Sequence, residues 1–308
     1  MKNLYENFVS SRGTWWSLMV TGALAVMLAF GSAPALAQES EEETAQSTEA
    51  AEEEASDALG GQSLESAAND ATASMWTFQL SLEGRTWLDE DGPSGEPRPE
   101  GNRDQLMLRF VAPVPLGKNL KVINRFTMRN NEAADRSSGA GDAEYFALFV
   151  PFEWSTGRWG IGPQVNFPAE SSKFGSEKWR YGFATAWLER VGDKVLTGVL
   201  VQQIWGKTDP SDPDRQVAQP ITIQPVFNYS LKNGYYINIG ETAFSYNWDA
   251  NAWLIPLGFR FGKVFITDQG STWNLYGEIR KTVYYGDSWP GSVMDTAFRV
   301  NLSYAFPM

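Results

Sequence analysis

Phe298-Arg299-Val300-Asn301-Leu302-Ser303-Tyr304-Ala305-Phe306, close to the C-terminus, alternates without a break. Successive side chains of an extended strand point to opposite faces. Phe298, Val300, Leu302, Tyr304 and Phe306 therefore make one apolar face capped by aromatics, and Arg299, Asn301, Ser303 and Ala305 make the other. A strand of a water-soluble sandwich would also fit this stretch alone. Its repetition along the chain decides the matter. Trp253, Ile255, Leu257, Phe259 and Phe261 alternate with Leu254, Pro256, Gly258, Arg260 and Gly262; Leu106, Leu108, Phe110, Ala112 and Val114 alternate with Met107, Arg109, Val111 and Pro113. Ile221 to Leu231 and Trp76 to Glu83 behave the same way. A small soluble barrel fills its interior with apolar side chains. Here the polar or small face recurs, which places lipid on the outside.

Working outward, alternating segments fall near 75–88, 105–116, 120–129, 142–154, 158–167, 179–190, 195–206, 220–231, 235–246, 253–263, 273–285 and 296–306. That is about twelve strands, an even number as bacterial single-chain outer-membrane barrels require. Long connections (89–104, 130–141, 168–178, 207–219, 286–295) alternate with tight ones (117–119, 155–157, 191–194, 232–234). With both termini in the periplasm, the long set is extracellular. Two connections blur the rule: 247–252 is short for an outer loop, and 264–272 is long for an inner turn. Parity is ambiguous in 195–206. In 235–246 the apolar face would carry Glu241, which predicts a bulge or register change.

Ahead of the barrel, Lys2 and Arg12 precede an apolar run from Leu18 to Phe30 and the small-residue site Ala35-Leu36-Ala37. Residues 1–37 have the form of a cleaved signal peptide; the run is too short to favour a retained spanning helix. Residues 38–74 are rich in Glu, Ala, Ser and Thr, with no Lys, Arg or aromatic residue. Such a stretch cannot bury enough apolar surface to offset its ordering entropy, so a disordered acidic arm is expected. Much of the net charge of -12 sits there. The domain organisation is therefore signal peptide 1–37, acidic arm 38–74 and barrel 75–308.

The chain has no His and no Cys. Ser-His-Asp triads, thiol nucleophiles, His-based metal sites and haem attachment fall away, and a non-enzymatic protein without cofactor or metal is expected. The acids Asp89, Glu90 and Asp91, and Asp209, Asp212 and Asp214, are hard-oxygen candidates for Ca²⁺, but neither run matches an EF-hand loop and solvated acidic loops account for them.

Strand parity turns Arg85, Arg109, Arg125, Arg260, Arg280 and Arg299 inward as pore-lining candidates, together with Glu83 and Glu278. Two readings follow. In one, Arg and Glu pair across the lumen and hold the barrel shut as a structural or adhesive element. In the other, the excess of Arg makes a charged constriction that favours anions. A barrel of about twelve strands lies between the side-chain-filled eight and the open sixteen, so a narrow pore fits.

A family resemblance adds to this. Ile161-Gly162-Pro163-Gln164-Val165-Asn166-Phe167-Pro168, then Gly175-Ser176-Glu177-Lys178-Trp179, together with Gln203-Ile204-Trp205, Gln224-Pro225, Tyr246-Asn247-Trp248, Trp253-Leu254-Ile255-Pro256-Leu257-Gly258, Gly262-Lys263 and Phe306-Pro307, resemble the bacterial family labelled "MetA-pathway of phenol degradation", whose members also carry a neuromedin-U-like transporter label. The resemblance covers roughly residues 103–308 and leaves out the acidic arm. It implies a Gram-negative, porin-like outer-membrane transporter of small molecules, and the phenol label does not establish a phenolic substrate. The expected solutes are small and anionic or polar-aromatic. Expected partners are outer-membrane lipid, the solute and the barrel-assembly machinery, with Phe306 as the C-terminal aromatic; no nucleic acid is expected. The expected fold is all-β, a transmembrane antiparallel up-and-down barrel of about 12 strands.

Overall fold

The computed structural model describes residues 75–88, 101–117, 120–176, 178–206, 220–267, 271–290 and 292–307. The expected signal peptide, the acidic arm and the acids at 89–91 and 209–214 lie outside the described residues. Fourteen strand segments follow in order: β1 (Met75–Trp87), β2 (Gly101–Pro115), β3 (Lys121–Glu132), β4 (Ser138–Ala140), β5 (Ala143–Glu153), β6 (Gly157–Phe167), β7 (Arg180–Val191), β8 (Val195–Gly206), β9 (Pro220–Ser230), β10 (Tyr235–Asn238), β11 (Phe244–Asn247), β12 (Ala252–Ile266), β13 (Thr272–Tyr285) and β14 (Met294–Pro307). β4 is a short extension paired to the end of β3. β10 and β11 are two halves of one wall strand, each lying between β9 and β12. The wall is thus a twelve-strand antiparallel barrel.

Closure comes from β1 and β14, paired from Met75↔Pro307 to Arg85↔Ala297. Closing the sheet gives every strand two neighbours and leaves no edge, the condition for β-structure in a lipid phase, where an unpaired backbone group has no water to bond. Both barrel termini lie at one end, because Met75 faces Pro307. At that end the expected turn 232–234 is made by Asn233 and Gly234, with φ of 58° and 74°. Asn-Gly tolerates two successive positive φ values, and their twist suits a tight hairpin.

The outer surface is apolar. Leu82, Leu257, Phe259 and Ile279 are each about half exposed at mid-strand positions. Rings gather at the two rims. Trp76, Phe78, Phe110, Tyr304, Phe306 and Trp273 touch at the terminal end. Phe167, Trp179 and Tyr181, and Tyr246, Trp248 and Trp253, do so at the other. Aromatic girdles around an apolar band mark a lipid-facing barrel wall.

Three expectations are refined. The connection predicted to run from 264 to 272 shrinks to 267–271, because β12 continues to Ile266 and β13 starts at Thr272; Thr267 N–H donates to Ser271 O at 2.9 Å. In β8, Gln202 faces inward, its amide donating to Gln164 at 3.0 Å, while Trp205 faces out beside Phe183. The interior is also less polar than the strand patterns imply. Ile123, Phe146, Leu148, Ala184, Ala186 and Leu200 form a buried inner cluster on β3, β5, β7 and β8. Those strands carry apolar residues on both faces, so alternation alone does not reveal which face is which.

Candidate functional site

The opposite wall, from β12 through β13, β14 and β1 to β2, is charged. Strand register sets Arg260 opposite Glu278, Glu278 opposite Arg299, Arg299 opposite Glu83, and Glu83 opposite Gln105. One rung of the sheet therefore alternates in charge along the hydrogen-bonding direction, where directly opposed side chains are close enough to pair. Arg260 meets Glu278 at 2.6 Å and Arg299 meets Glu83 at 2.6 Å. The next rung toward the far end sets Arg280 opposite Ala297 and Ala297 opposite Arg85. Arg85 and Arg280 both turn onto Glu83, and Arg280 also meets Glu278 at 3.0 Å. Small neighbours make this room. A Cβ at Gly258 would lie 2.8 Å from the Arg280 side chain.

One more strand closes the lattice across the barrel. Between Asn238 and Phe244 there are five residues, 239–243, facing four residues of β9 and four of β12. The extra residue is a bulge and reverses the parity of the strand. Tyr236 and Asn238 are buried inside before it, and Asn247 after it. Gly240, at φ 74°, supplies a left-handed conformation there, and a Cβ on it would press on Glu278. The bulge turns Glu241 inward. Its carboxylate meets Arg109 at 2.6 Å and Arg299 at 2.8 Å. Arg109 stands on β2, nearly opposite the β10–β11 strand in the closed order, so this pair spans the lumen.

A second cluster stands within the apolar wall. Arg125 donates to Glu144 at 2.7 Å, with its guanidinium carbon 4.1 Å from the centre of the Phe146 ring. Gln164 and Gln202 both donate to the other oxygen of Glu144, at 3.4 Å. On the terminal side of the lattice lies a cavity of ≈ 110 Å³, lined by Arg109, Glu241 and Arg260 and, on β3, β5 and β8, by Arg125, Phe146, Leu148 and Leu200. On the far side a vestibule of ≈ 530 Å³ opens among Arg85, Arg103, Asn131, Glu132 and Lys173. The vestibule wall is tied to the lattice through Gln105, which accepts from Arg85 and donates to Asn131; Asn131 in turn donates to Phe174 O at 2.6 Å.

The six arginines expected at the lumen each pair there with a glutamate. Glu83 and Glu278 lie among them. Sequence reasoning missed two of the four glutamates that these arginines meet. Glu241 was visible as a parity conflict, and its inward position is the consequence of the bulge. Glu144 gave no signal, because β5 places Phe146, Leu148 and Val150 inward as well. Arg129, four residues along β3 from Arg125 on the same face, adds a further guanidinium that donates to Asp142 O at 3.3 Å. At the far rim Asp142 also accepts from Ala169 N–H at 3.0 Å and Ser176 N–H at 2.9 Å, and meets Arg180 at 2.6 Å. Burial raises its carboxyl above the ordinary aspartate value, although Arg180 and the two N–H groups pull it down. Among the described residues no group of three His, Cys, Asp or Glu side chains is placed to hold a metal ion.

A closed twelve-strand antiparallel barrel with an apolar, ring-banded exterior defines the class: an outer-membrane-type β-barrel. Comparison with known proteins agrees at that level. The chain is similar in structure to the COG4313 outer membrane channel from Pseudomonas putida F1, with a TM-score of 0.55 and 16% identity over 75% of this chain and 94% of that one. It also matches the KdgM porin in complex with disordered oligogalacturonate (TM-score 0.44, 12% identity, 75% of this chain and 99% of that one) and outer membrane phospholipase A from Escherichia coli (TM-score 0.41, 13% identity, 76% and 97%). At these identities the likeness bears on the fold alone. No family model matches the chain, so the MetA-pathway resemblance stands without that support, and no curated protein matches.

Proposed function

We propose that this protein is a narrow passive channel of the outer membrane for small anionic solutes, with the Arg–Glu lattice as its constriction. The carrying observation is the charge imbalance: Arg85, Arg109, Arg125, Arg260, Arg280 and Arg299 converge on only Glu83, Glu144, Glu241 and Glu278. Inside a partly desolvated passage an uncompensated charge acts on a passing ion far more strongly than at a wet surface, so anions are drawn in and cations repelled. The cavity and the vestibule give a solute room on either side of the lattice. Small solutes with an aromatic or apolar part suit the mixed wall of the cavity. The long-loop end is taken as extracellular and the terminal end as periplasmic.

A second reading has its own observation. The Arg109–Glu241–Arg299 bridge crosses the lumen, and a barrel held shut by it would be a structural or adhesive element. Purified protein in planar lipid bilayers separates the two. A channel gives steady conductance, with a reversal potential in a potassium chloride gradient displaced toward chloride. Insertion without steady conductance would favour the closed barrel, and a cation-directed reversal potential would remove anion selectivity.

A further inference from the structure

We infer that the ≈ 110 Å³ cavity beneath the lattice is a binding site for a small monocarboxylate with a benzene-sized apolar body, aromatic or branched aliphatic; this deepens the anion-channel reading and rests on it for its place on the solute path. Three features of the cavity define the ligand. Its volume limits the ligand to one small ring at most, since an enclosed apolar cavity that takes up benzene measures about 150 Å³. Its two walls differ in kind. Phe146, Leu148 and Leu200, all buried, offer an apolar surface; Arg109 and Arg260 stand on the charged wall, and Arg125 stands on β3 directly beside Phe146.

The third feature is an unused donor. Arg125 is 7% exposed, and its Nε has no hydrogen-bond partner among the described residues, although its Nη2 is held by Glu144. A buried N–H without an acceptor is unfavourable, and a guanidinium presents its donors in a planar fork suited to a carboxylate. The Phe146 ring lies against that same guanidinium, so acceptor and apolar body would be met at one place. The alternatives fit less well. A neutral ring would leave Nε unpaired. Phosphate or a dicarboxylate would press a second charge onto Leu148 and Leu200. A cation would face three arginines. Glu241 borders the cavity committed to Arg109 and Arg299, and Glu144 is committed to Arg125 Nη2, which leaves the Nε edge of Arg125 for the ligand carboxylate.

The test is isothermal titration of the purified barrel in detergent with benzoate, benzyl alcohol and acetate. Benzoate should bind at least tenfold more tightly than either of the others: the alcohol lacks the charge and acetate lacks the ring. Arg125→Gln should lower benzoate affinity to the level of benzyl alcohol. Because that change leaves Glu144 uncompensated, the charge-balanced double variant Arg125→Gln with Glu144→Gln is measured beside it, with folding checked by heat-modifiable gel migration. Equal binding of benzoate and benzyl alcohol, undiminished benzoate binding in the folded double variant, or no benzoate binding to the wild type would each overturn the inference. Binding needs no current. A barrel that conducts anions without binding benzoate loses this inference and keeps the channel reading, and one that binds benzoate without conducting does the reverse.

Discussion

Glu83 carries more of the interior than any other single side chain, since Arg85, Arg280 and Arg299 all turn onto its two oxygens. Removing one member of a buried ionic cluster leaves its partners uncompensated in a low-dielectric setting, a loss of roughly 3–5 kcal/mol. Glu83→Gln should therefore destabilise the folded barrel by about that amount, read as a lower urea midpoint with unchanged slope; an unchanged midpoint would show that the arginines are neutralised elsewhere. Arg299 tests selectivity. It stands between Glu83 and Glu241, and its strand alternates more plainly than any other. Arg299→Glu removes one positive charge and adds one negative at the lattice. The reversal potential should move toward cation preference, and the shift should shrink in concentrated salt, where the Debye length falls to about 3 Å at 1 M. A conducting variant with the wild-type reversal potential would take Arg299 out of the path.

At the scale of elements, the strands legible in the sequence are those with one apolar and one polar face. β14, β12, β2 and β1 could be read residue by residue, because lipid outside and charge inside alternate with period 2 along them. β8 could be located but not oriented, and its neighbours β5 and β7 share the reason: Phe149 and Trp187 face out while Phe146, Leu148, Ala186 and Leu200 face in, so both faces are apolar. For the same reason Glu144 and the apolar wall of the cavity escaped notice. The β10–β11 break was legible as a conflict, since a carboxylate on a lipid face is too costly to leave there, and one extra residue resolves it. Long and short connections set the expected orientation. The absence of cysteine makes that easy to check with single introduced thiols. Ser137→Cys, exposed beyond β3, should react with a membrane-impermeant maleimide on intact cells, and Lys232→Cys, at the tight turn before β10, should react only after lysis. The reverse pattern would invert the barrel.

For the molecule as a whole, the interior is divided lengthwise and across. One side of the wall is an ionic lattice, the other an apolar cluster, and the lattice separates a vestibule from a smaller cavity. The sequence showed the lattice arginines because each lies on a strand whose other face is apolar. It showed their excess over glutamate as well, but not which residues meet, because a cross-lumen pair such as Arg109 with Glu241 joins residues 132 positions apart in the chain. That bridge is where the two functional readings part. In a channel it narrows the passage and can be removed without loss of the pore; in a closed barrel it is the closure. Single-channel recording of Glu241→Ala beside the wild type tests this most directly. The account predicts a wild type that already conducts and a variant with higher conductance and stronger anion preference, because a side chain and a negative charge leave the constriction together. A folded, inserted variant whose conductance and selectivity equal those of the wild type would contradict it.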